Sequence, residues 1–246
     1  MGEARKRRAG DAPGLSMLPS SGIGLRRAAR GFTLVELLML VAIVAILAAL
    51  LLPALARAKG QGRSVQCLSQ MRQIGLATVM YADDNEGFLP RSTHSALAYG
   101  QLPWGYALVP YFRTRSYTKN DTAWTNLFNS IYRCPQDPRR TEDWSYGKNV
   151  YPELSALETG GPTWPKLPAI PQPCATVLYA EKRGLSMADH FMAQFWPEGG
   201  APEVDQDRHL HRSNYVFCDG HTASRRFRDT YDPGRHIDNW NPDTAR

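Results

Sequence analysis

The sequence predicts an α+β fold in which a long N-terminal helix packs on a small antiparallel β-sheet domain with long irregular loops. Residues 37–56 are uncharged and mostly apolar, and an apolar stripe at helical spacing follows within residues 65–79. Beyond residue 90 the apolar runs are short and are separated by proline, glycine and aromatic residues. These patterns favour one long helix followed by short strands.

The helix is predicted to run from about residue 33 to about residue 82, half in lipid and half on a soluble domain. As a helix, residues 37–56 rise about 30 Å, the hydrocarbon thickness of a bilayer. Pro53 removes one backbone hydrogen bond and is expected to kink the helix. Gly75 is expected to let a sheet approach closely. The predicted apolar stripe of the second half consists of Val65, Leu68, Met71, Gly75 and Val79.

The sheet is predicted from runs of β-forming residues near turn signals. Residues 176–180 predict a buried strand, and residues 214–218 and 221–227 predict two strands joined by a two-residue turn at Asp219-Gly220. No long helix is expected between residues 90 and 200. The tail from Asp229 to Arg246 is rich in Asp, Asn and Pro and is expected to wrap the surface irregularly.

The positive charge of the chain is concentrated at its start. The net charge is +6, and residues 1–31 carry seven basic against two acidic side chains. Because the remainder is nearly neutral, we expect no nucleic-acid partner. A basic cluster before a hydrophobic span is instead a topology signal that keeps this end in the cytoplasm. The basic residues are Arg5, Lys6, Arg7, Arg8, Arg26, Arg27 and Arg30.

A carboxylate near the start of the apolar span requires a partner. Glu36 is costly in lipid unless a positive group neutralises it. Cleavage between Gly31 and Phe32 would give Phe32 a free ammonium, which the Glu36 of a neighbouring subunit could pair in a helical array. The stretch from Gly31 to Glu36 followed by the apolar run resembles the processing motif of type IV prepilins and type II secretion pseudopilins.

This resemblance implies a role, a location and a set of partners. A prepilin peptidase would cut after Gly31, Phe32 would be N-methylated, Glu36 would guide subunit registration and Pro53 would bend the helix. The leader would be cytoplasmic, the single span would lie in the inner membrane, and the C-terminal domain would be periplasmic or part of a surface filament. The implied partners are the peptidase, other pilin or pseudopilin subunits, the inner-membrane assembly platform and the lipid bilayer.

The predicted organisation is a basic leader at residues 1–31, a transmembrane helix at 32–56, an amphipathic helix at 57–89 and a β-rich domain at 90–246. Two simpler roles for the apolar span fit the sequence less well. An ordinary secretory signal has an A-x-A site at residues 54–56, but its apolar region would be shorter and would not contain Glu36. An uncleaved anchor accounts for the span but for neither Gly31 nor Glu36.

Two further motifs resemble a large group of pilin-like proteins. The helix sequence of residues 67–77, followed by Tyr81-Ala82-Asp83-Asp84, is similar to the helix of that group. His209 and Asp219-Gly220, with nine residues between them, resemble its C-terminal processing-associated H-X9-DG motif. The resemblance assigns no chemistry to these residues.

The histidines near the hairpin allow two interpretations. His209 and His211 share one face of an extended segment, as do Asp219 and His221, so these four could offer ligands to a metal ion. We favour a hydrogen-bonded structural pair of His209 and Asp219, because the turn alone accounts for Asp-Gly. Calcium binding by Asp238, Asn239, Asn241 and Asp243 is less favoured than an ordinary solvated tail. No cofactor is expected.

The four cysteines are predicted to form two disulfides if the domain is exported. Three pairings are open from sequence alone. Pairing of the strand after Cys174 with the strand that Cys218 closes would bring those two sulfurs together. The expected bonds are therefore Cys67–Cys134 and Cys174–Cys218.

The sequence gives little support for catalysis. It contains no G-x-S-x-G, H-E-x-x-H, P-loop or G-x-G-x-x-G motif, so we predict a structural protein that is not an enzyme. The alternative function is a membrane-anchored extracellular module that binds sugars or peptides without any filament. Its candidate stacking residues are Trp104, Trp124, Trp144, Trp164 and Trp196.

Overall fold

The computed structural model describes residues 31–112, 122–139, 143–184 and 188–246. The basic cluster of the leader, within residues 1–30, lies outside the described residues. The described part of the chain divides into two compact units between residues 49 and 50. The predicted α+β class is confirmed, because a long N-terminal helix is followed by a five-stranded sheet and a small two-stranded sheet.

The predicted long helix and the three predicted strands are present among further short elements that the sequence did not predict. The helices are α1 (Leu34–Asp84), α2 (Thr93–Ala96), α3 (Trp104–Ala107), α4 (Thr122–Leu127) and α5 (Ala156–Thr159). The strands are β1 (Tyr146–Asn149), β2 (Val177–Glu181), β3 (His190–Phe191), β4 (Ser213–Phe217), β5 (Thr222–Arg225), β6 (Tyr231–Asp232) and β7 (Ile237–Asp238). A π-helical turn at Phe128–Tyr132 continues α4, and single 3₁₀ turns lie at Leu97–Tyr99, Val109–Phe112, Tyr151–Glu153, Leu167–Ala169, Ala193–Phe195, Phe227–Asp229 and Pro233–Arg235.

Helix α1 has 51 residues and contains Pro53. Among the helices that the structure describes, α1 is the one that is long and apolar enough to cross a membrane. It ends in a turn, in which the N–H of Gly87 donates to the carbonyl of Ala82 at 2.8 Å and Gly87 has φ +85°. A glycine in this left-handed conformation is a common way to close a helix C-terminus.

The buried face of α1 differs from the predicted stripe. Met71 and Gly75 are buried as expected, but Val65 is 67% exposed. The prediction missed the two buried polar residues of this face, Gln70 and Thr78, because it was based on the spacing of apolar residues. Gln70 donates from Nε2 to the carbonyl of Ser130 at 2.6 Å. The buried residues are Cys67, Gln70, Met71, Ile74, Gly75, Ala77, Thr78 and Ala82.

The main sheet has the strand order β3-β1-β2-β4-β5. The predicted pairing of the strand near residues 176–180 with the strand near 214–218 is confirmed, because β2 and β4 are antiparallel neighbours. The expectation of a purely antiparallel sheet is wrong, since β1 and β3 run parallel. Strands β1, β2 and β4 are buried along their whole length, as expected for the centre of a covered sheet.

Strands β4 and β5 form the predicted hairpin, but its connection is longer than expected. The N–H of Phe217 donates to the carbonyl of His221 at 3.0 Å, so residues 218–220 form a three-residue loop. Gly220 has φ +84°. Three-residue hairpin loops commonly end on a left-handed residue that makes a bulge, and glycine adopts this conformation without strain.

Gly75 lies at a close contact between α1 and the sheet. A Cβ atom at Gly75 would lie 2.7 Å from Cγ1 of Val216 on β4 and 3.0 Å from the carbonyl oxygen of Gly220. The predicted role of this glycine is confirmed. The hydroxyls of Thr78 and Tyr179 are also hydrogen-bonded across this interface at 3.1 Å.

The tail does not wrap the surface irregularly. Strands β6 and β7 pair antiparallel, and Trp240 is fully buried against Phe191 and Trp196. Asp238, a candidate calcium ligand by composition, accepts the backbone N–H groups of Trp240 and Asn241 on one oxygen. The aromatic side chain of Trp240 therefore fixes a segment that its composition suggested to be solvated.

The candidate stacking tryptophans are core residues. Trp104, Trp124, Trp164 and Trp196 are each at most 7% exposed, and Trp144 is partly buried against the ring of Trp104. A sugar or peptide platform needs exposed ring faces. Four of these five side chains therefore offer no exposed ring face for binding, and Trp144 offers only part of its side chain.

Candidate functional site

The predicted processing segment lies at the start of α1. The hydroxyl and backbone N–H of Thr33 each donate to Oε2 of Glu36 at 2.9 Å, and the N–H of Glu36 donates to Oγ1 of Thr33 at 3.2 Å. This reciprocal arrangement is a capping box, which satisfies N–H groups that a helix start leaves without partners. The spacing Thr33-x-x-Glu36 is the sequence signal of such a box. The sequence analysis assigned Glu36 only a pairing role and did not predict this cap.

The described residues leave the predicted cleavage point uncovered. None of their heavy atoms would lie within 4 Å of a Cβ atom at Gly31, and Phe32 is 73% exposed. Both capping bonds of Glu36 use Oε2, so its Oε1 stands outside the capping box. Glu36 can therefore cap its own helix and still offer an oxygen to another group.

The first part of α1 exposes a large apolar surface. Its residues from 34 to 55 are exposed throughout. A continuous apolar surface of this kind marks a membrane or protein interaction site. The exposed large side chains are Leu34, Val35, Leu37, Leu38, Met39, Leu40, Val41, Ile43, Val44, Ile46, Leu47, Leu50, Leu51, Leu52 and Leu55.

The predicted pair of His209 and Asp219 does not form. His209 Nε2 lies 2.6 Å from Oε1 of Glu181, and both side chains are buried. Asp219 Oδ1 instead accepts the backbone N–H of His221 at 3.0 Å and lies 2.6 Å from Nδ1 of the same residue. His211 is exposed. The proposed metal set of His209, His211, Asp219 and His221 is therefore not brought together.

Backbone reversal is the reason that His209 and His211 part. Leu210 and His211 have φ of +56° and +62°, and the N–H of His209 donates to the carbonyl of Arg212 at 3.2 Å. The segment is a tight turn and not the extended strand on which alternate residues share a face. It places His209 inside the domain and leaves His211 in solvent beside Asp207.

The turn at Asp219-Gly220 packs against α1. A Cβ at Gly220 would lie 3.3 Å from Val79 and 3.8 Å from the carbonyl oxygen of Gly75. The rings of Phe217 and His221 stack at 4.4 Å. The structure thus gives Asp219 and Gly220 a turn role at the helix, whereas His209 belongs to a separate cluster.

Of the two expected disulfides, the structure contains Cys67–Cys134. Cys174 and Cys218 are free, which contradicts the second expected bond. The N–H of Cys218 donates to the carbonyl of Thr176 at 3.0 Å, so the strand register places Cys218 opposite Thr176. Cys174 is exposed in the turn before β2, whereas the Cys218 thiol is fully buried, which raises its pKa far above the ordinary value.

An arginine-rich cavity of about 480 Å³ reaches Cys134. Asp137 is the carboxylate at the centre of a charged network beside this cavity. Arg139 donates hydrogen bonds to both of its carboxylate oxygens, and Ser145 donates to Oδ2. Nη2 of Arg208 lies 3.7 Å from the same Oδ2. Burial by itself raises the pKa of Asp137, but these hydrogen bonds and the Arg208 charge outweigh it and lower the pKa to about 2. The carboxylate therefore stays ionised and holds the arginines in place.

The N-terminal segment of the chain is similar to a known family of sequences. Residues 26–52 match the family described as the Prokaryotic N-terminal methylation motif. The match contains Gly31, Phe32, Glu36 and the first part of α1. No curated protein and no solved structure matches the chain. The chain thus carries a type IV pilin-like leader, which is typical of structural subunits and not of enzymes.

Proposed function

We propose that this chain is a pilin-like structural subunit of a type II secretion or type IV pilus-like filament, cut by a prepilin peptidase after Gly31 and methylated on the new amine of Phe32. The match of residues 26–52 to the methylation motif carries the proposal. The exposed apolar start of α1 supports it, since these residues suit a bilayer before assembly and a bundle of neighbouring helices afterwards.

Before assembly, the chain is anchored in the inner membrane with its leader cytoplasmic and its folded domain periplasmic. The basic leader supports this orientation through the positive-inside rule. The proposed partners are the prepilin peptidase, other pilin or pseudopilin subunits and the inner-membrane assembly platform. The H-X9-DG residues are proposed to act within the folded domain, Asp219-Gly220 through the turn at α1 and His209 through its buried cluster.

In the assembled filament, we propose two roles for Glu36. Its Oε2 caps its own helix through Thr33, and its carboxylate neutralises the Phe32 ammonium of a neighbouring subunit. A carboxylate that is lipid-exposed in an isolated subunit is costly, and an amine in the packed array removes that cost. The negative charge, and not only the hydrogen bonds, is therefore required for assembly.

The first test is the N-terminal mass of the protein produced with a prepilin peptidase. The expected product begins at methylated Phe32. Gly31→Trp is expected to accumulate as uncut precursor, because the peptidase has to accept a small residue before the cut. Gly22→Trp, in the same leader, is the matched control and is expected to be processed normally. A start at Arg57, an intact leader in the wild type, or normal cutting of Gly31→Trp would contradict the proposal.

The second test separates charge from helix capping. Glu36→Gln keeps a side chain able to cap the helix but removes the charge, whereas Thr33→Val removes the capping hydroxyl and keeps the charge. We expect both to insert in the membrane, Glu36→Gln to lose most filament yield, and Thr33→Val to retain most of it. If Glu36→Gln assembles like the wild type and Thr33→Val does not, Glu36 acts through its cap and the pairing with Phe32 is wrong.

A further inference from the structure

Four side chains of types that can bind a metal ion meet in one buried cluster. Cys67 comes from α1, Cys134 from the turn after Tyr132, Glu181 from the end of β2 and His209 from the turn before β4. Their candidate ligand atoms all lie within 4.8 Å of one another, and all four residues are buried. Residues this far apart in sequence converge only through the tertiary fold.

The chemistry of this set is that of a zinc site. Thiolate, imidazole and carboxylate are the three protein ligands of Zn²⁺, usually four in a tetrahedron with bonds of about 2.0–2.3 Å. Such bonds place neighbouring ligand atoms about 3.3–3.8 Å apart. Ligand atoms that now lie up to 4.8 Å apart would therefore have to move by about 1 Å to reach this spacing. The two bonded sulfurs would also have to separate.

Neighbouring groups already hold these ligands in orientation. Glu181 Oε1 faces His209, while its Oε2 accepts the backbone N–H of Asn214 at 2.9 Å. The N–H of Gln136 donates to Sγ of Cys134 at 3.4 Å, a contact that favours thiolate. His209 Nε2 lies 3.5 Å from that sulfur. Within the described residues, Nδ1 of His209 is buried without a hydrogen-bond partner, so the polar contacts of this ring are all directed into the cluster.

We propose that reduction of the Cys67–Cys134 disulfide opens a Zn²⁺ site with Cys67, Cys134, Glu181 and His209 as its four ligands. A dithiol supplies two electrons and two protons: its sulfurs form a new disulfide while the Cys67–Cys134 bond breaks to two thiols. Zn²⁺ then displaces both thiol protons, and the proton on Nε2 of His209 passes to Nδ1 or to solvent. The cavity that reaches Cys134 gives the reductant and the ion a route.

The competing hypothesis is a permanent structural disulfide beside a buried pair of Glu181 and His209. It accounts for the oxidised state, but it predicts no specific metal affinity after reduction. The zinc proposal does not rest on filament assembly, because the cluster lies wholly within residues 50–246. The zinc proposal and the filament proposal can therefore fail independently of each other.

The test uses the full chain in detergent micelles, oxidised or reduced by a phosphine, with Zn²⁺ and Co²⁺ as probes. We expect the reduced protein to bind one Zn²⁺ and the oxidised protein none. Bound Co²⁺ is expected to give the visible bands of a tetrahedral site and a thiolate charge-transfer band. Glu181→Gln, which is nearly isosteric, is expected to weaken Zn²⁺ binding by on the order of 100-fold, at least the effect of losing an outer-shell contact.

Matched controls are His211→Gln and Cys174→Ser, which change exposed residues of the same types and are expected to leave binding unchanged. Circular dichroism checks that each reduced protein remains folded. If reduction unfolds the apoprotein, Zn²⁺ is expected to restore the fold of the wild type but not of His209→Gln. Three outcomes would overturn the proposal: no Zn²⁺ binding or refolding after reduction, equal binding by the oxidised protein, or equal loss in the control variants.

Discussion

Replacing Gly75 with alanine tests the contact between α1 and the sheet. The new Cβ would lie 2.7 Å from Cγ1 of Val216, about 1 Å short of an ordinary carbon contact. Val216 is fully buried and the other close atom is the backbone oxygen of Gly220, so neither neighbour can move freely. Overpacking of this kind costs about 1–3 kcal/mol, while alanine gains about 1 kcal/mol over glycine within a helix.

The matched control is Gly62→Ala on the same helix, where an added Cβ would meet no heavy atom of the described residues within 4 Å. Gly62→Ala is expected to stabilise the protein by about 0.5–1 kcal/mol, because only the helix preference changes. Gly75→Ala is then expected to be less stable than Gly62→Ala by about 1–3 kcal/mol. The measurement is the free energy of unfolding of the full chain in detergent, from denaturant titration followed by tryptophan fluorescence.

A double-mutant cycle identifies the responsible neighbour. Val216→Ala removes the methyl group that Gly75→Ala would strike, so the double variant is expected to lose at least about 0.5 kcal/mol less than the sum of the single losses. If Gly75→Ala is as stable as Gly62→Ala, or if the two losses simply add, the close contact between Gly75 and Val216 does not limit the packing of α1 on the sheet.

Two further predictions concern the thiols and the buried carboxylate. In the native, non-reduced protein, alkylation followed by mass spectrometry is expected to modify Cys174 alone, with Cys218 reacting only after unfolding; a Cys174–Cys218 linked peptide would contradict the structure. Because the pKa of Asp137 is lowered to about 2, its contribution to stability is present above the ordinary value of about 3.9 and is lost as the pH falls through about 2. Asp137→Asn is therefore expected to be less stable than the wild type at pH about 6, with the difference shrinking toward pH about 2; a constant difference would show that ionisation plays no part.

Local sequence patterns were sufficient for the elements that depend on local physics. The long apolar run and its amphipathic continuation predicted α1 to within two residues at either end, since helical periodicity repeats along the chain itself. The hairpin at Asp219-Gly220 was also predicted, although its loop proved one residue longer, because the loop length depends on how β4 and β5 align.

Contacts between distant segments were predicted less well. The Cys67–Cys134 bond was expected, but the bond between Cys174 and Cys218 was not found, because pairing of two strands does not fix which residues face each other. A register that sets Cys218 opposite Thr176 buries one thiol and leaves the other in solvent. Strand register depends on the whole buried face of the sheet and not on the cysteines alone.

The sequence by itself determined the long helix, the methylation-motif segment that contains Gly31 and Glu36, and the α+β class, because each depends on residues adjacent in the chain. Only the tertiary structure decided the partner of His209, which is Glu181 and not Asp219. The two left-handed residues after His209 turn its ring into the domain, and β2 brings Glu181 to it from 28 residues away. Such a meeting is set by how the backbone reverses and how strands align, which no spacing between residues records.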